Sequence, residues 1–264
     1  MRLCNSVLLL AALGVGVGMV ERAHAEMIID AFSQPGDGSV FCAPGHTLFH
    51  PMSTLGTSDQ SYSRTDPWDQ NPHGYGERTL TAELVGDNPF PFNAVLGWMP
   101  DGEMHVATFG HQGVRLHLEY SLNEGNAMDL TEDGSNTMFV LRFSSIDPGN
   151  GDSMRLVATV FSGNAEVQYA TDLAEAVTMT THELRFEDFA LTASSGNPSV
   201  DPLDVFKNAD RMHFSFNANA NPNVDYAMLS IVSVPEPSGA LLGLTGVLAM
   251  IGFGGRRRRR SAGG

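Results

Sequence analysis

Lysine and cysteine are nearly absent from this 264-residue sequence, and extended helical patterning is scarce. It has one lysine, Lys207, and two cysteines against 30 acidic residues, which gives a formal net charge of −15. A chain this acidic repels nucleic acid, so nucleic-acid-binding proteins are excluded from the classes that it fits. Two cysteines cannot build a disulfide framework. We interpret Cys42 as a buried thiol, with a disulfide-linked dimer as the alternative.

Signatures of catalysis are also missing. The sequence contains no Gly-x-Ser-x-Gly elbow, phosphate loop or dinucleotide fingerprint. His46 and His50 are four residues apart, but neighbouring prolines place them in a loop without the helical geometry that suits zinc. Carboxylates are so numerous that no glycosidase pair stands out. We therefore expect no enzyme and no cofactor. The metal hypothesis is structural calcium in one of two oxygen-rich turns, Asp147 to Asp152 or Glu132 to Asn136, with ordinary solvated turns as the alternative.

The N-terminus reads as a secretory signal peptide. Arg2 supplies a positive start, and residues 7–20 form an apolar stretch too short for a standard membrane helix. Ala23 and Ala25 then give the small-x-small pattern of signal peptidase sites. We expect export through the Sec machinery and cleavage after Ala25, which removes residues 1–25.

The C-terminus has three consecutive parts. These are Val-Pro-Glu-Pro-Ser at 234–238, an apolar run at 239–255 and five arginines, Arg256, Arg257, Arg258, Arg259 and Arg260, before a short tail at 261–264. Seventeen residues of helix span about 25 Å, which is the short limit for crossing a membrane. The arginines cannot follow the helix into lipid and act as a stop-transfer block. We therefore expect one C-terminal transmembrane helix that holds residues 26–233 outside.

In this order and spacing, residues 234–260 resemble the PEP-CTERM sorting signal of exosortase substrates. The resemblance implies recognition of Pro235, Glu236 and Pro237 by a polytopic, exosortase-like membrane protease. It also implies cleavage near this motif and export alongside extracellular polysaccharide in a Gram-negative envelope. The expected location is an inner-membrane-anchored precursor, followed by the cell surface or the extracellular matrix. The scissile bond does not follow from the motif.

The exported body, residues 26–233, is more acidic than the whole chain. Its 208 residues include 28 acidic residues against seven arginines and one lysine, a formal charge of −20. Such a body should stay soluble and attract cations, and halophily would explain the same composition. Its length suits one large all-β domain or two small ones.

Short alternating segments dominate the body. Arg211, His213 and Ser215 alternate with three apolar residues, which predicts a half-buried strand with these three on its polar face. The strands predicted in this way are 27–32, 78–85, 103–109, 114–122, 138–143, 154–161, 165–170, 178–186, 211–216 and 226–232. Turn signals rich in Gly, Pro, Asn and Asp separate them. The pattern predicts an all-β fold, an antiparallel β-sandwich, with one helical turn at 171–177.

A second resemblance rests on the order of short segments along the body. Residues 28–32, 130–134, 184–191 and 205–210, with a closing strand from Asp225, resemble the jelly-roll, galactose-binding-like modules related to carbohydrate-binding domains. This implies a jelly-roll-like sandwich and sugar binding. The chain departs from that pattern at Asp30-Ala31, where many relatives carry two acidic residues before Phe.

Residues 59–77 are predicted to form a long polar loop that holds Tyr62, Trp68 and Tyr75. Aromatic faces in a loop can stack on sugar rings. In the alternative interpretation, Trp68 fixes the loop to the sandwich. Three functions for the body remain: a non-catalytic module that binds exopolysaccharide, an adhesive or structural matrix protein without sugar binding, and a secreted polysaccharide hydrolase.

Overall fold

The fold is described from a computed structural model for residues 26–32, 61–68, 76–85, 95–98, 102–108, 113–193 and 200–236. The signal peptide, Tyr75, Pro237, the apolar run and the arginine cluster lie outside these residues. No helix within the described ranges is both long and apolar enough to cross a membrane.

Thirteen strands lie within the described residues. They are β1 (Met27–Asp30), β2 (Ser61–Pro67), β3 (Gly76–Val85), β4 (Val95–Trp98), β5 (Met104–Thr108), β6 (Gly113–Leu122), β7 (Met138–Asp147), β8 (Ser153–Ser162), β9 (Ala165–Ala174), β10 (Thr180–Arg185), β11 (Ala190–Ala193), β12 (Arg211–Phe216) and β13 (Asp225–Val234). A 3₁₀ turn covers Phe186–Asp188, and one short helix, α1, covers Pro202–Lys207. Asp201 begins this helix by accepting the N–H of Leu203.

These strands form two sheets with antiparallel pairing, as predicted. The six-stranded sheet has the order β10-β7-β13-β5-β4, with β1 also pairing β13. The seven-stranded sheet has the order β11-β9-β8-β12-β6-β3-β2. The last strand in the chain, β13, is therefore an interior strand, with β7 on one side and both β5 and β1 on the other. Its position matters for the C-terminal motif that follows it.

All ten predicted strands are present, but two local predictions were wrong. Residues 61–67 form β2 rather than a loop, because this polar edge strand pairs with β3 along its whole length. Its alternation of serine, arginine and threonine carries no apolar signal. Residues 171–174 continue β9 instead of starting a helical turn, since Leu173 is buried opposite Met154 of β8.

The core consists of the inward positions of both sheets. On β6 these are Val114, Leu116, Leu118 and Tyr120, all fully buried, while the residues between them are partly exposed. Aromatic rings fill one end of the core, where the rings of Phe139, Phe186, Phe206 and Phe214 contact each other. Aromatic pairs of this kind stabilise a core beyond their buried area.

A buried carboxylate ties the two sheets together. Asp30, at the end of β1, is fully buried. One of its oxygens accepts the N–H of Phe32 at 2.7 Å, and the other accepts the hydroxyl of Tyr120 at 2.8 Å and a guanidinium N–H of Arg78. β1 belongs to the six-stranded sheet, whereas Arg78 and Tyr120 belong to β3 and β6 of the other sheet.

The surroundings of Tyr120 keep its hydroxyl protonated. Its pKa lies well above the usual value because of burial and the charge of Asp30, with Arg78 acting in the opposite direction. The Tyr120 hydroxyl therefore keeps its proton at neutral pH and donates it to Asp30. The carboxylate, the guanidinium and the phenol form one hydrogen-bonded buried unit, and such a unit is strongly destabilised when one member is removed.

We expect Asp30→Ala to lower the free energy of unfolding by about 3–5 kcal/mol, because it leaves the Arg78 charge buried without its partner. Urea denaturation of the body followed by tryptophan fluorescence measures this loss. Glu124→Ala, in an exposed turn, is the control and should change stability by about 0.5 kcal/mol or less. A loss below about 1 kcal/mol for Asp30→Ala would contradict the assigned role of the carboxylate.

Candidate functional site

The outer face of the seven-stranded sheet is the most extensive array of polar side chains among the described residues. Because side chains alternate along a strand, burying one face in the core turns the polar residues of every strand to the other. A row of directly opposed residues crosses all seven strands. This central row is Thr65, Thr79, Glu119, His213, Thr159, Gln168 and Ala190. At about 4.8 Å per strand, it is about 29 Å long.

Two further rows flank the central row. One runs through Ser63, Thr81, His117, Ser215, Val157 and Ala170. The other runs through Glu77, Ser121, Arg211, Phe161 and Glu166. Thr159 and Ser215 are nearly buried, whereas the larger side chains around them are partly or fully exposed. At the centre of the face, small hydroxyl residues therefore lie lower than the larger rings and charged groups around them.

Hydroxyl groups are paired at the β2 edge of this face. Ser63 Oγ lies 2.7 Å from Thr81 Oγ1, and Thr65 Oγ1 lies 2.8 Å from Thr79 Oγ1. Each hydroxyl has one donor and two acceptor positions, so such pairs retain hydrogen-bonding capacity toward solvent or a ligand. The edge of the sheet thus presents donors and acceptors at fixed spacing.

Two histidines lie at the centre of the face. The His213 Nε2 and His117 Nδ1 atoms are 3.2 Å apart, so one ring donates to the other. His117 Nε2 lies 3.4 Å from a carboxylate oxygen of Glu83, and the same oxygen accepts a guanidinium N–H of Arg115 at 3.4 Å. Arg115 also donates to the carbonyl of Ala218 at 3.2 Å. This chain of contacts orients both imidazole rings.

Burial, together with the neighbouring His117 and Arg211, lowers the pKa of His213 to about 4. His213 is therefore neutral at physiological pH, with one ring nitrogen as a donor and the other as an acceptor. A neutral imidazole at the centre of the central row suits an uncharged hydrogen-bonding partner.

Planar groups flank the histidines on the β8 side. The guanidinium carbon of Arg211 lies 3.9 Å from the ring centroid of the half-buried Phe161, a cation–π contact. In the central row, Gln168 donates to the hydroxyl of Thr159 at 3.3 Å. Each of these planar side chains is held by a neighbour, which lowers the entropy lost when a ligand binds.

Trp68, one of the three predicted sugar-stacking residues, does not contribute to this face. The prediction for Trp68 was wrong: its ring is 3% exposed, lies 4.9 Å from the Tyr120 ring and donates its Nε1–H to the carbonyl of Ile29 at 2.8 Å. The alternative interpretation, in which Trp68 fixes its segment to the sandwich, agrees with the structure. Tyr62 lies in β2, opposite Ala82. Whether it stacks on sugar stays a prediction, as it does for Tyr75.

The sequence predicted part of this outer face. Its alternation correctly placed Arg211, His213 and Ser215 on the polar side of β12, but it did not link His213 to His117. The pairing of β12 with β6, which sets His117 directly against Ser215 and next to His213, joins residues 96 apart in the chain. No local pattern reports such a contact.

The predicted calcium turn at 147–152 is organised by its own hydrogen bonds. A carboxylate oxygen of Asp147 accepts the N–H of Gly149 at 2.8 Å, and both Asp147 and Asp152 are exposed. Asp147 lies opposite Asp225 of β13, whose pKa is raised by burial and by the Asp147 charge. Across the described part of the chain, no three His, Cys, Asp or Glu side chains are grouped to hold a metal ion. Calcium binding stays a prediction.

The predicted sorting motif follows the sandwich directly. β13 ends at Val234, Pro235 is half-buried and Glu236 is exposed. Arg185 Nη1 donates to Glu236 Oε1 at 3.4 Å. Glu236 also lines a mainly apolar cleft of about 190 Å³ beside Phe186, Leu203 and Lys207. The first part of the motif is therefore in contact with the body.

Comparisons with known proteins give structural likenesses of low score. No family model matches the sequence, and no curated protein matches it either. The family 11 carbohydrate-binding module of the cellulosomal cellulase Lic26A-Cel5E of Clostridium thermocellum is 16% identical over 80% of this chain and 95% of that one, with a TM-score of 0.38.

Two other solved structures are similar at the same level. A family 29 carbohydrate-binding module is 10% identical over 71% of this chain and 89% of that one, with a TM-score of 0.31. The agarase AgWH50C is 8% identical over 54% of this chain and 23% of that one, with a TM-score of 0.38. TM-scores this low establish neither the fold nor the function of this chain. The two sheets themselves establish the β-sandwich.

The depressed pKa of His213 predicts a loss of stability in acid. An unfolded histidine takes up its proton near pH 6.5 and the folded one near pH 4, so the unfolded state binds more protons between these values. Stability should therefore fall as the pH drops from 6.5 to 4, by at most about 3 kcal/mol from this group. Thermal denaturation at several pH values measures this.

In the same measurement, His213→Gln should lose less stability than the wild type across this pH window. Thr79→Ser, a change without a titrating group in the same row, is the control and should keep the wild-type slope. Parallel slopes for His213→Gln and the wild type would show that His213 is not the group responsible.

Proposed function

We propose that this chain is an exported envelope or matrix protein whose β-sandwich binds polysaccharide without catalysis, through the outer face of the seven-stranded sheet. The observation that carries this proposal is the set of three rows across this sheet in which most side chains can form hydrogen bonds. Hydroxyl, amide, imidazole and guanidinium groups are placed there at regular spacing on a rigid support.

The shape and charge of this face favour a long, uncharged or weakly charged ligand. A row of about 29 Å is far longer than a small-molecule pocket. The body as a whole has a formal charge of −20, yet this face carries Arg115, Arg155 and Arg211 among its carboxylates. An extended glycan offers the alternating donors and acceptors that such a surface can satisfy. Phe161 and the two imidazole rings supply flat faces for sugar rings.

Sorting is the second part of the proposal. The order of motif, apolar run and arginine cluster supports handling by an exosortase-like membrane protease after Sec export and signal-peptidase cleavage. Glu236 supports it as well, since its side chain is half exposed at the surface of the sandwich rather than buried in it. The protease would cleave this chain, and residues 235–237 would be the sequence that it recognises.

The hydrolase alternative rests on one pair of carboxylates. Asp147 and Asp225 lie opposite each other, and the raised pKa of Asp225 is the property that a general acid needs. This pair belongs to the six-stranded sheet, away from the rows described above, and Asp147 is already bound to the N–H of Gly149. The polysaccharide-binding proposal therefore accounts for more of the structure.

We expect the purified body to bind matrix polysaccharide and to lose at least about tenfold in affinity, or about 1.4 kcal/mol, in His213→Ala and in Phe161→Ala. Affinity electrophoresis against a polysaccharide panel, followed by calorimetry, measures this. Glu183→Ala, on the outer face of the other sheet, is the matched control and should bind as the wild type does. Equal affinity for all four proteins would refute the assigned face.

The same samples distinguish the two other functions. Release of reducing ends from the polysaccharide, abolished by Asp225→Asn, would support the hydrolase instead. An absence of glycan binding together with weakened biofilm cohesion in a deletion strain would support an adhesive protein without sugar binding.

Replacing Pro235, Glu236 and Pro237 by alanine should leave an unprocessed, membrane-bound form in the native host, because the proposed recognition sequence of the protease is lost. Immunoblots of membrane and medium fractions measure this. Arg185→Ala removes the contact to Glu236 but keeps the motif, and it should be processed as the wild type is. Unchanged processing of the triple variant would reject the sorting role.

A further inference from the structure

We infer that the sorting protease cuts this chain beyond the Val234–Pro235 bond, so that the mature protein keeps β13 and Pro235. This inference rests on the proposed sorting function and concerns the position of the bond, which the motif alone does not give. It follows from the placement of β13 in the six-stranded sheet.

The backbone of β13 is engaged on both edges over most of its length. On one side it pairs with β7 through to Val234, which lies opposite Met138. On the other side β5 pairs its first half, and β1 pairs its second half through to Ser233, which lies opposite Met27. A protease binds its substrate as an extended segment through free backbone groups. β13 is thus paired on both edges over residues 225–228 and 231–233, and a protease cannot bind these residues without displacing a neighbouring strand.

Further contacts hold the last two residues of β13. Ser233 is fully buried, and its hydroxyl donates to the carbonyl of Leu130 at 2.8 Å. Its own carbonyl accepts the Asn136 amide at 3.2 Å. The carbonyl oxygen of Val234 accepts the N–H of Thr137 at 2.9 Å. Since a nucleophile attacks the carbonyl carbon of the scissile bond, the Val234–Pro235 bond is shielded in the folded body.

Freeing these residues would require removal of an interior strand. β13 contributes Tyr226, Met228 and Ile231 to the core, and all three are buried. Opening such a strand costs nearly the full free energy of unfolding, unlike the fraying of an edge. The folded body therefore protects every bond up to Val234–Pro235.

The first weakly held position is Glu236. It is tied to the body by Arg185 at 3.4 Å, and both side chains are about half exposed. A surface ion pair of this kind contributes about 0–1 kcal/mol, so a protease can displace it. Pro235 has no N–H to lose and remains against the end of the strand. In the proposed step a peptide C–N bond beyond Val234–Pro235 breaks, and its carbonyl carbon bonds to the oxygen of water or of another hydroxyl compound. The proton of that hydroxyl passes to the leaving nitrogen.

Mass spectrometry of the C-terminal peptide of the mature protein, isolated from cells and medium, tests this position. A last residue at 235 or later, short of Gly264, supports the inference. A last residue at 234 or earlier overturns it, although the chain would still have been processed. A chain that ends at Gly264 overturns both the inference and the sorting proposal. The sorting proposal and the inferred cleavage position can therefore be contradicted separately.

A second measurement needs no host protease. The full-length precursor in detergent is treated with proteinase K, and the stable fragment is analysed by mass. We expect trimming from the C-terminus to stop at or after Pro235. Arg185→Ala, which frees Glu236 without touching β13, should at most move the end to Pro235. Trimming to Val234 or further under native conditions would overturn the inference.

Discussion

The buried carboxylate of Asp30 is the interaction on which the arrangement of the two sheets depends. A charge removed from water is tolerated only when its partners are complete, and here they come from both sides of the core. Phe32, Arg78 and Tyr120 supply the donors, while Trp68 holds the preceding carbonyl of Ile29. β1 is only four residues long, yet it determines how the six-stranded sheet faces the seven-stranded one. The regularity of the outer face depends on this fixed arrangement.

The outer face follows from the same constraint. Once the apolar positions of β6, β8 and β12 are buried, their polar neighbours must point outward in register. Register places His117 next to His213, and burial then lowers the pKa of His213 so that its ring is neutral. The features that we associate with ligand binding are thus consequences of sheet pairing and not of any continuous sequence motif.

The sequence predicted the strands better than the site. Alternation of apolar residues identified the ten strands whose inward positions are buried, since periodicity reports burial directly. It failed for β2, which is a polar edge strand, and it extended no further than Ala170 on β9 although Leu173 is buried. For Trp68 the sequence left two interpretations open, sugar stacking and attachment of its segment to the sandwich. The burial of Trp68 depends on Tyr120 and Ile29, 52 and 39 residues away in the chain, and on no local pattern.

The pairing of β1 with the last strand has a consequence for the order in which the chain can assemble. Met27 lies opposite Ser233, so among the described strands β1 has no strand partner until nearly the whole body has been synthesised. Such long-range closure is slow, because a loop of some 200 residues must be ordered before the contact forms. The six-stranded sheet is therefore incomplete until β13 has been made. If the chain is exported as proposed, translocation would act on an incompletely folded chain.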